Sequence, residues 1–195
     1  VADLLATAED LALFVDDSGL DEERATLLLE LATGEVQAAA GQRLVLVEDE
    51  EIELFGFTDS WLELPQWPVS EVASIAIDDD DPLEAGTDYR RTATSSRLWR
   101  RCGWAACWRE PSIIAITYTH GYASDDQRLQ FARSSTLGIA RLALGAPTGP
   151  VQSESIDDYR ISYAAAVAWA MEQSPYLRKA LERTYGQRAG LVRLG

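Results

Sequence analysis

The stretch that most constrains this chain is a strand pattern running straight into a helix pattern. Ile113, Ala115 and Thr117 alternate with Ile114, Ile116 and Tyr118. The run is mostly apolar on both sides of the repeat, as in a strand covered on two faces, and it predicts a central strand. Gly121 breaks the period, and Ser124 with Gln127 three residues later predicts a capping box at the start of a long helix. Beyond it Leu129, Ala132, Thr136, Leu137, Ala140 and Leu144 fall on one helical stripe. A chain built around such a joint joins a β-layer to a helical body. The expected class is α+β: a helical body of about four helices, an inserted antiparallel β subdomain and a C-terminal arm.

The size fits that plan. With 195 residues and 47% hydrophobic content, one domain carrying a subdomain has enough apolar surface for a core. No run of about 18 apolar residues is present to span a bilayer. The first residues lack the basic-then-apolar layout of a signal peptide. Both features predict a soluble chain made in the cytosol, without membrane contact. Cys102 and Cys107 match neither a redox nor a zinc spacing.

In chain order, Thr7 and Asp10 predict a capped short helix ending at Asp17-Ser18-Gly19. Asp21 predicts the cap of a second helix. Glu22 and Glu23 stand in its first turn, where the helix dipole favours anions, and Ala25, Leu28, Leu29, Ala32, Val36 and Ala39 form its buried stripe up to Gly41. Short strand patterns cut by turn signals follow, from Leu44 to Tyr118. A further short strand is expected at Tyr159–Tyr163. Ser174, Pro175 and the stripe Leu177, Ala180, Leu181 and Tyr185 describe a last helix, with Gly186 just past its end. The boundaries that result are 1–42 for the N-terminal helices, 43–120 for the β subdomain, 121–186 for the remaining helices with the short strand, and 187–195 for the arm.

Signs of chemistry are few. Trp61, Trp67, Trp99, Trp104 and Trp108 lie in the β region, where such rings more often fill a core or a subunit contact than stack on a sugar. Asp78 to Asp81 offers oxygen ligands but lacks the alternating spacing of a calcium loop, so it reads as a solvated turn. His120 is the single histidine; its neighbours form no nucleophile elbow, and its ring is expected to cap the corner after the strand through backbone groups. No catalytic residue, metal site or cofactor is expected.

The net charge of −15 argues against generic nucleic-acid binding, which needs clustered Lys and Arg. The charge is also uneven. Residues 1–60 hold sixteen acidic side chains against Arg24 and Arg43, whereas 176–195 hold Arg178, Lys179, Arg183, Arg188 and Arg193 against Glu182.

Several phrases stand in a telling order: Leu64-Pro65-Gln66-Trp67-Pro68-Val69, then Val72, Ile75 and Ile77, Thr87-Asp88-Tyr89, Leu98-Trp99-Arg100, and Tyr118-Thr119-His120-Gly121-Tyr122. Ser153-Glu154-Ser155-Ile156 then leads to Asp158-Tyr159-Arg160-Ile161-Ser162-Tyr163. The set resembles the head-tail connector (adaptor) proteins of long-tailed bacteriophages over roughly residues 5 to 185. It departs from them in the Asp-rich turn at Asp78 to Asp81 and in lacking a Pro after Tyr122.

The resemblance implies a protein without enzymatic activity, sited at the head-tail junction of a virion and assembled in the host cytoplasm. It implies a homo-oligomeric ring, commonly of twelve copies, that docks under the portal protein, extends the DNA channel and presents a platform for the next neck, stopper or tail protein. The tail residues Arg188, Leu191, Val192, Arg193 and Leu194 would be the portal-docking arm. A closed ring needs two different faces on each subunit. Arg90, Arg91, Arg97, Arg100 and Arg101, with Arg109, are candidates for one face, and Glu22 and Glu23 for the other. Duplex DNA must pass without specific binding; its charges, about 1.7 Å apart along the axis, are repelled by carboxylates within a Debye length of about 8 Å. Glu48, Asp49, Glu50 and Glu51 are therefore candidates for the channel wall. The alternatives are a neighbouring neck or tail-completion protein, or a glycan-binding or hydrolytic module using the Trp cluster.

Overall fold

Local caps set the first helices. In the computed structural model, α1 (Ala8–Val15) opens on a reciprocal capping box: the Asp10 N–H donates to Thr7 Oγ1 at 3.1 Å and the Thr7 N–H to the Asp10 carboxylate at 2.9 Å. Asp21 caps α2 (Glu22–Ala40) by accepting from the Arg24 N–H at 2.8 Å, and Gly41 ends it in the left-handed region at φ 72°. All six stripe residues expected on this helix are buried. The structure describes residues 4–78, 80–92, 96–105, 112–145 and 156–186, with backbone alone over 156–162.

Three more helices follow, α3 (Gln130–Leu144), α4 (Ile156–Glu172) and α5 (Pro175–Tyr185), so the described residues hold five α-helices where about four were expected. The extra one replaces the strand expected at Tyr159–Tyr163, which lies inside α4. Alanine, the strongest helix former, occupies positions 164, 165, 166, 168 and 170, and this run outweighs a three-point alternation of Tyr159, Ile161 and Tyr163. The cap before α3 also differs from expectation. Asp126, not Ser124, caps the 3-10 turn Gln127–Leu129 that leads into the helix, accepting from the Arg128 N–H at 2.8 Å. The Ser124 carbonyl instead accepts from the Arg133 guanidinium. Starting later, α3 buries Ala132, Ser135, Thr136, Ile139, Ala140 and Ala143, and leaves Leu137 and Leu144 half-buried.

The helices form one compact unit from residues 1–45 and 124–195. α2, about 28 Å long at 1.5 Å per residue, packs against each of the other four. Tyr185 ties the two chain segments together. Its hydroxyl donates to the Arg128 carbonyl at 2.6 Å and accepts from the Ala132 N–H at 3.2 Å, while its own carbonyl accepts from Gln42 Nε2 at 2.7 Å. Its ring stacks on Phe131 with centroids 6.3 Å apart.

The second unit, residues 46–123, is the β unit. It holds β1 (Val47–Gly56), β2 (Trp61–Glu63), β3 (Val69–Ile77), β4 (Arg90–Arg91), β5 (Arg97–Trp99) and β6 (Ser112–His120). They form two antiparallel three-stranded sheets, in the orders β1-β6-β3 and β2-β5-β4. β6 is central, as its sequence predicts. Ile116 lies between Ile52 and Ile75, and Ile114 between Leu54 and Ile77.

Among the described residues, however, only one face of β6 is covered. Ile114, Ile116 and Tyr118 are buried, whereas Ile113 is 49% exposed and Ala115 is also exposed. The covered face joins a core completed by Leu62, Leu64, Val69, Ile75, Ile77, Tyr89, Leu98 and Trp104, all from the β unit. The second sheet supplies the cover on that face. An antiparallel sheet tolerates one open face, so apolar content alone did not reveal how many faces are packed. Trp104 fastens the two sheets: its N–H donates to the Phe57 carbonyl at 2.7 Å and its indole to Ser60 O at 3.1 Å. At Gly56 a Cβ would collide with the Trp104 carbonyl, so only glycine fits there.

Candidate interaction surfaces

The acidic run of β1 lies on an edge strand. One extra residue between Val47 and Glu50 makes a bulge against β6, with Asp49 in the left-handed region at φ 50° and its N–H donating to Thr119 Oγ1 at 3.2 Å. Beyond the bulge the side chains alternate. Glu48, Asp49, Glu51 and Glu53 are exposed, and Ile52 and Leu54 pack against the core. Charges along an edge suppress pairing with a foreign strand, so the run blocks strand addition whatever else it does.

Glu50 differs from its neighbours. Its Oε2 lies 2.8 Å from Nε2 of His120 and accepts from the Tyr118 hydroxyl at 3.2 Å. The imidazole is 0% exposed, and its ring sits 5.1 Å from that of Tyr118. The expectation that backbone groups alone hold this ring needs correction, since a carboxylate 70 residues away holds Nε2. Buried polar groups are costly without partners, and Glu50 supplies one. The trio ties β1 to the end of β6.

The arginines expected at a subunit boundary split into two kinds. Arg97 pairs with Glu63 across β2 and β5 at 3.5 Å. Arg91 donates to the carbonyls of Val69 and, at 2.8 Å, Ser70, linking β4 to the start of β3. Arg100 donates to Gly103 O at 3.0 Å. These three are used within the unit. Arg90 and Arg101 are exposed and have no ion pair among the described residues, while Arg109 lies outside them.

The tryptophans do not make one platform. Trp61 and Trp99 face each other across β2 and β5, Trp67 meets Tyr122 edge-on at 6.5 Å, and Trp104 is 1% exposed; Trp108 lies outside the described residues.

In the helical unit, Glu22 and Glu23 occupy the exposed first turn of α2, where the positive end of the helix dipole stabilises them. Arg188, Leu191, Val192, Arg193 and Leu194, expected to form a docking arm, lie outside the described residues. Sequence reasoning passed over a different set: the outward side chains Leu13 and Phe14 on α1, Leu142 on α3 and Tyr176 on α5 are all exposed. Leu13 signals this locally, because at i+2 it falls opposite the face set by Leu11.

Among the described residues, no group of three or more His, Cys, Asp or Glu side chains is placed to hold a metal ion, and no helix is long and apolar enough to cross a membrane. The chain matches no family model, and no curated protein matches it.

Proposed function

We propose that the chain is a structural head-tail connector of a bacteriophage neck. Copies form a ring that docks under the portal, extends the DNA channel and carries the next neck or tail protein. The observation that carries this reading is the build of the molecule. A helical unit made from both ends of the chain is interrupted by a β unit drawn wholly from residues 46–123, the helical body with a β insertion that the ordered sequence phrases imply. The surface chemistry supports it as well. Exposed Glu48, Asp49 and Glu51 form an acidic strip of the kind that repels passing phosphates, and Arg90 and Arg101 leave cationic groups for a neighbouring subunit.

Negative-stain images of the chain mixed with the portal protein of the same particle test the proposal. Rings seated on the portal are expected. Particles that mature without the chain, or turnover of a substrate by it, would overturn the reading.

A further inference from the structure

We propose that neighbouring copies meet head to tail through the helical unit, the outward face of α1 on one copy packing antiparallel against the outward face of α5 on the next. This rests on the ring reading above and names the contact that would build it.

Two exposed surfaces in this unit combine apolar side chains with opposite charge. On α1, Glu9 and Asp10 sit one turn before Leu13 and Phe14, at i, i+4 spacing, so acid and apolar groups share one face. Leu13 is 74% exposed and Phe14 44%, and α1 carries no basic residue. The last turn of α3 lies at the edge of this surface. The Arg141 guanidinium lies 5.9 Å from the Phe14 ring centre, and the next residue, Leu142, is exposed. On α5, Tyr176 is 85% exposed. Lys179 and Arg183, at i+3 and i+7 from it, complete one exposed stripe, while Leu181 and Tyr185 bury the opposite side.

The order of these groups sets the orientation. Along α1 the acids come first and the apolar groups second; along α5 the aromatic group comes first and the bases second. Only an antiparallel alignment puts Leu13 and Phe14 on Tyr176 while Glu9 and Asp10 face Lys179 and Arg183. A parallel one sets apolar groups against charges. Lengths agree, since Tyr176 to Arg183 rises about 10 Å and Glu9 to Phe14 about 7.5 Å. The antiparallel arrangement also places the negative end of one helix dipole by the positive end of the other.

The two faces are separate surfaces. α1 packs on α2 and α3, and α5 on α2 and α4, so one copy offers both at once. A contact between different faces propagates, and closes into a ring when its rotation allows.

The test is native mass spectrometry with size-exclusion chromatography on the full chain. Four samples are compared: wild type, an α1-face variant (Leu13→Asp with Phe14→Asp), an α5-face variant (Tyr176→Asp, Lys179→Glu and Arg183→Glu), and an equimolar mixture of the two variants. Wild type is expected to assemble. Each variant alone should be monomeric, its association weakened about a hundredfold or more. The mixture should form a one-to-one dimer and stop there, because each partner keeps a single intact face. Melting temperatures should match wild type, these side chains being exposed; if the α1 variant melts early, Leu13→Ser takes its place and should still weaken assembly.

Variants that assemble as wild type does, or a mixture that remains monomeric, overturn this contact and leave the ring reading standing. Wild type that stays monomeric by itself up to about 1 mM also overturns it, as attraction between these faces would then be too weak to act. The ring reading is in that case decided separately, by the images with portal.

Discussion

The helical unit and the β unit both bury an apolar core, but over different distances along the chain. In the helical unit the buried positions of α2 follow a 3.6-residue period, and its ends follow from Asp21 and Gly41, so nearly everything that forms the helix lies inside it. In the β unit, Ile116 is buried because Ile52 and Ile75 flank it and because a second sheet, formed near Leu62 and Leu98, covers it. The contrast teaches that period alone identifies a helix face when the rest of the helix is polar. It fails for a strand whose two faces are both apolar.

Substitutions at matched positions probe the comparison, and the largest effect is expected at Ile116. Ile116→Asp places a carboxylate at a position 2% exposed and should cost more than about 4 kcal/mol, abolishing the near-ultraviolet tryptophan signal of the β unit. A parent-like melt would show that β6 is not at the centre. In the helical unit, Leu28→Ala at a fully buried site should cost about 2–5 kcal/mol by chemical denaturation.

Tyr185→Phe should cost about 1–3 kcal/mol, because the Arg128 carbonyl and the Ala132 N–H lose their buried partner. It should also change the response to alkali. Burial, the largest influence, pushes the Tyr185 phenol above its ordinary value of 10.0. The folded state then keeps a proton that the unfolded state has begun to lose. The stability from this group is thus complete below pH 10 and declines as pH rises toward the folded value. Denaturation midpoints measured from pH 8 to 11 should fall less steeply in the Phe variant.

Asp21→Ala removes the α2 cap and should cost about 1 kcal/mol. The smallest change is expected at Ile113→Ser, on the open face of β6, within about 0.5 kcal/mol of wild type. If Ile113→Ser proves as damaging as Ile116→Asp, something covers that face in solution, and the one-sided sheet is incomplete as described.

Much of the plan was legible before the structure. The Thr7 box, the whole face of α2, the last helix and the central position of β6 are each written in a short window of residues. Reading failed where two local signals competed. At Tyr159–Tyr163 a brief alternation lost to the alanine run after it, and at Ser124 a plausible cap lost to Asp126 two residues on. The candidate surfaces were less legible. Five arginines look alike in sequence, yet Arg91, Arg97 and Arg100 are engaged within the β unit while Arg90 and Arg101 are exposed.

By itself, then, the amino-acid order determined helices α1, α2 and α5 with their ends and the inward face of α2, because caps and periodicity act within a few residues. Only the tertiary structure decided which side of β6 is covered, that Glu50 reaches His120 across 70 positions, and that Tyr185 closes on residues 53 and 57 positions earlier. These contacts join groups whose meeting depends on the path of the whole chain, and no local pattern encodes that path.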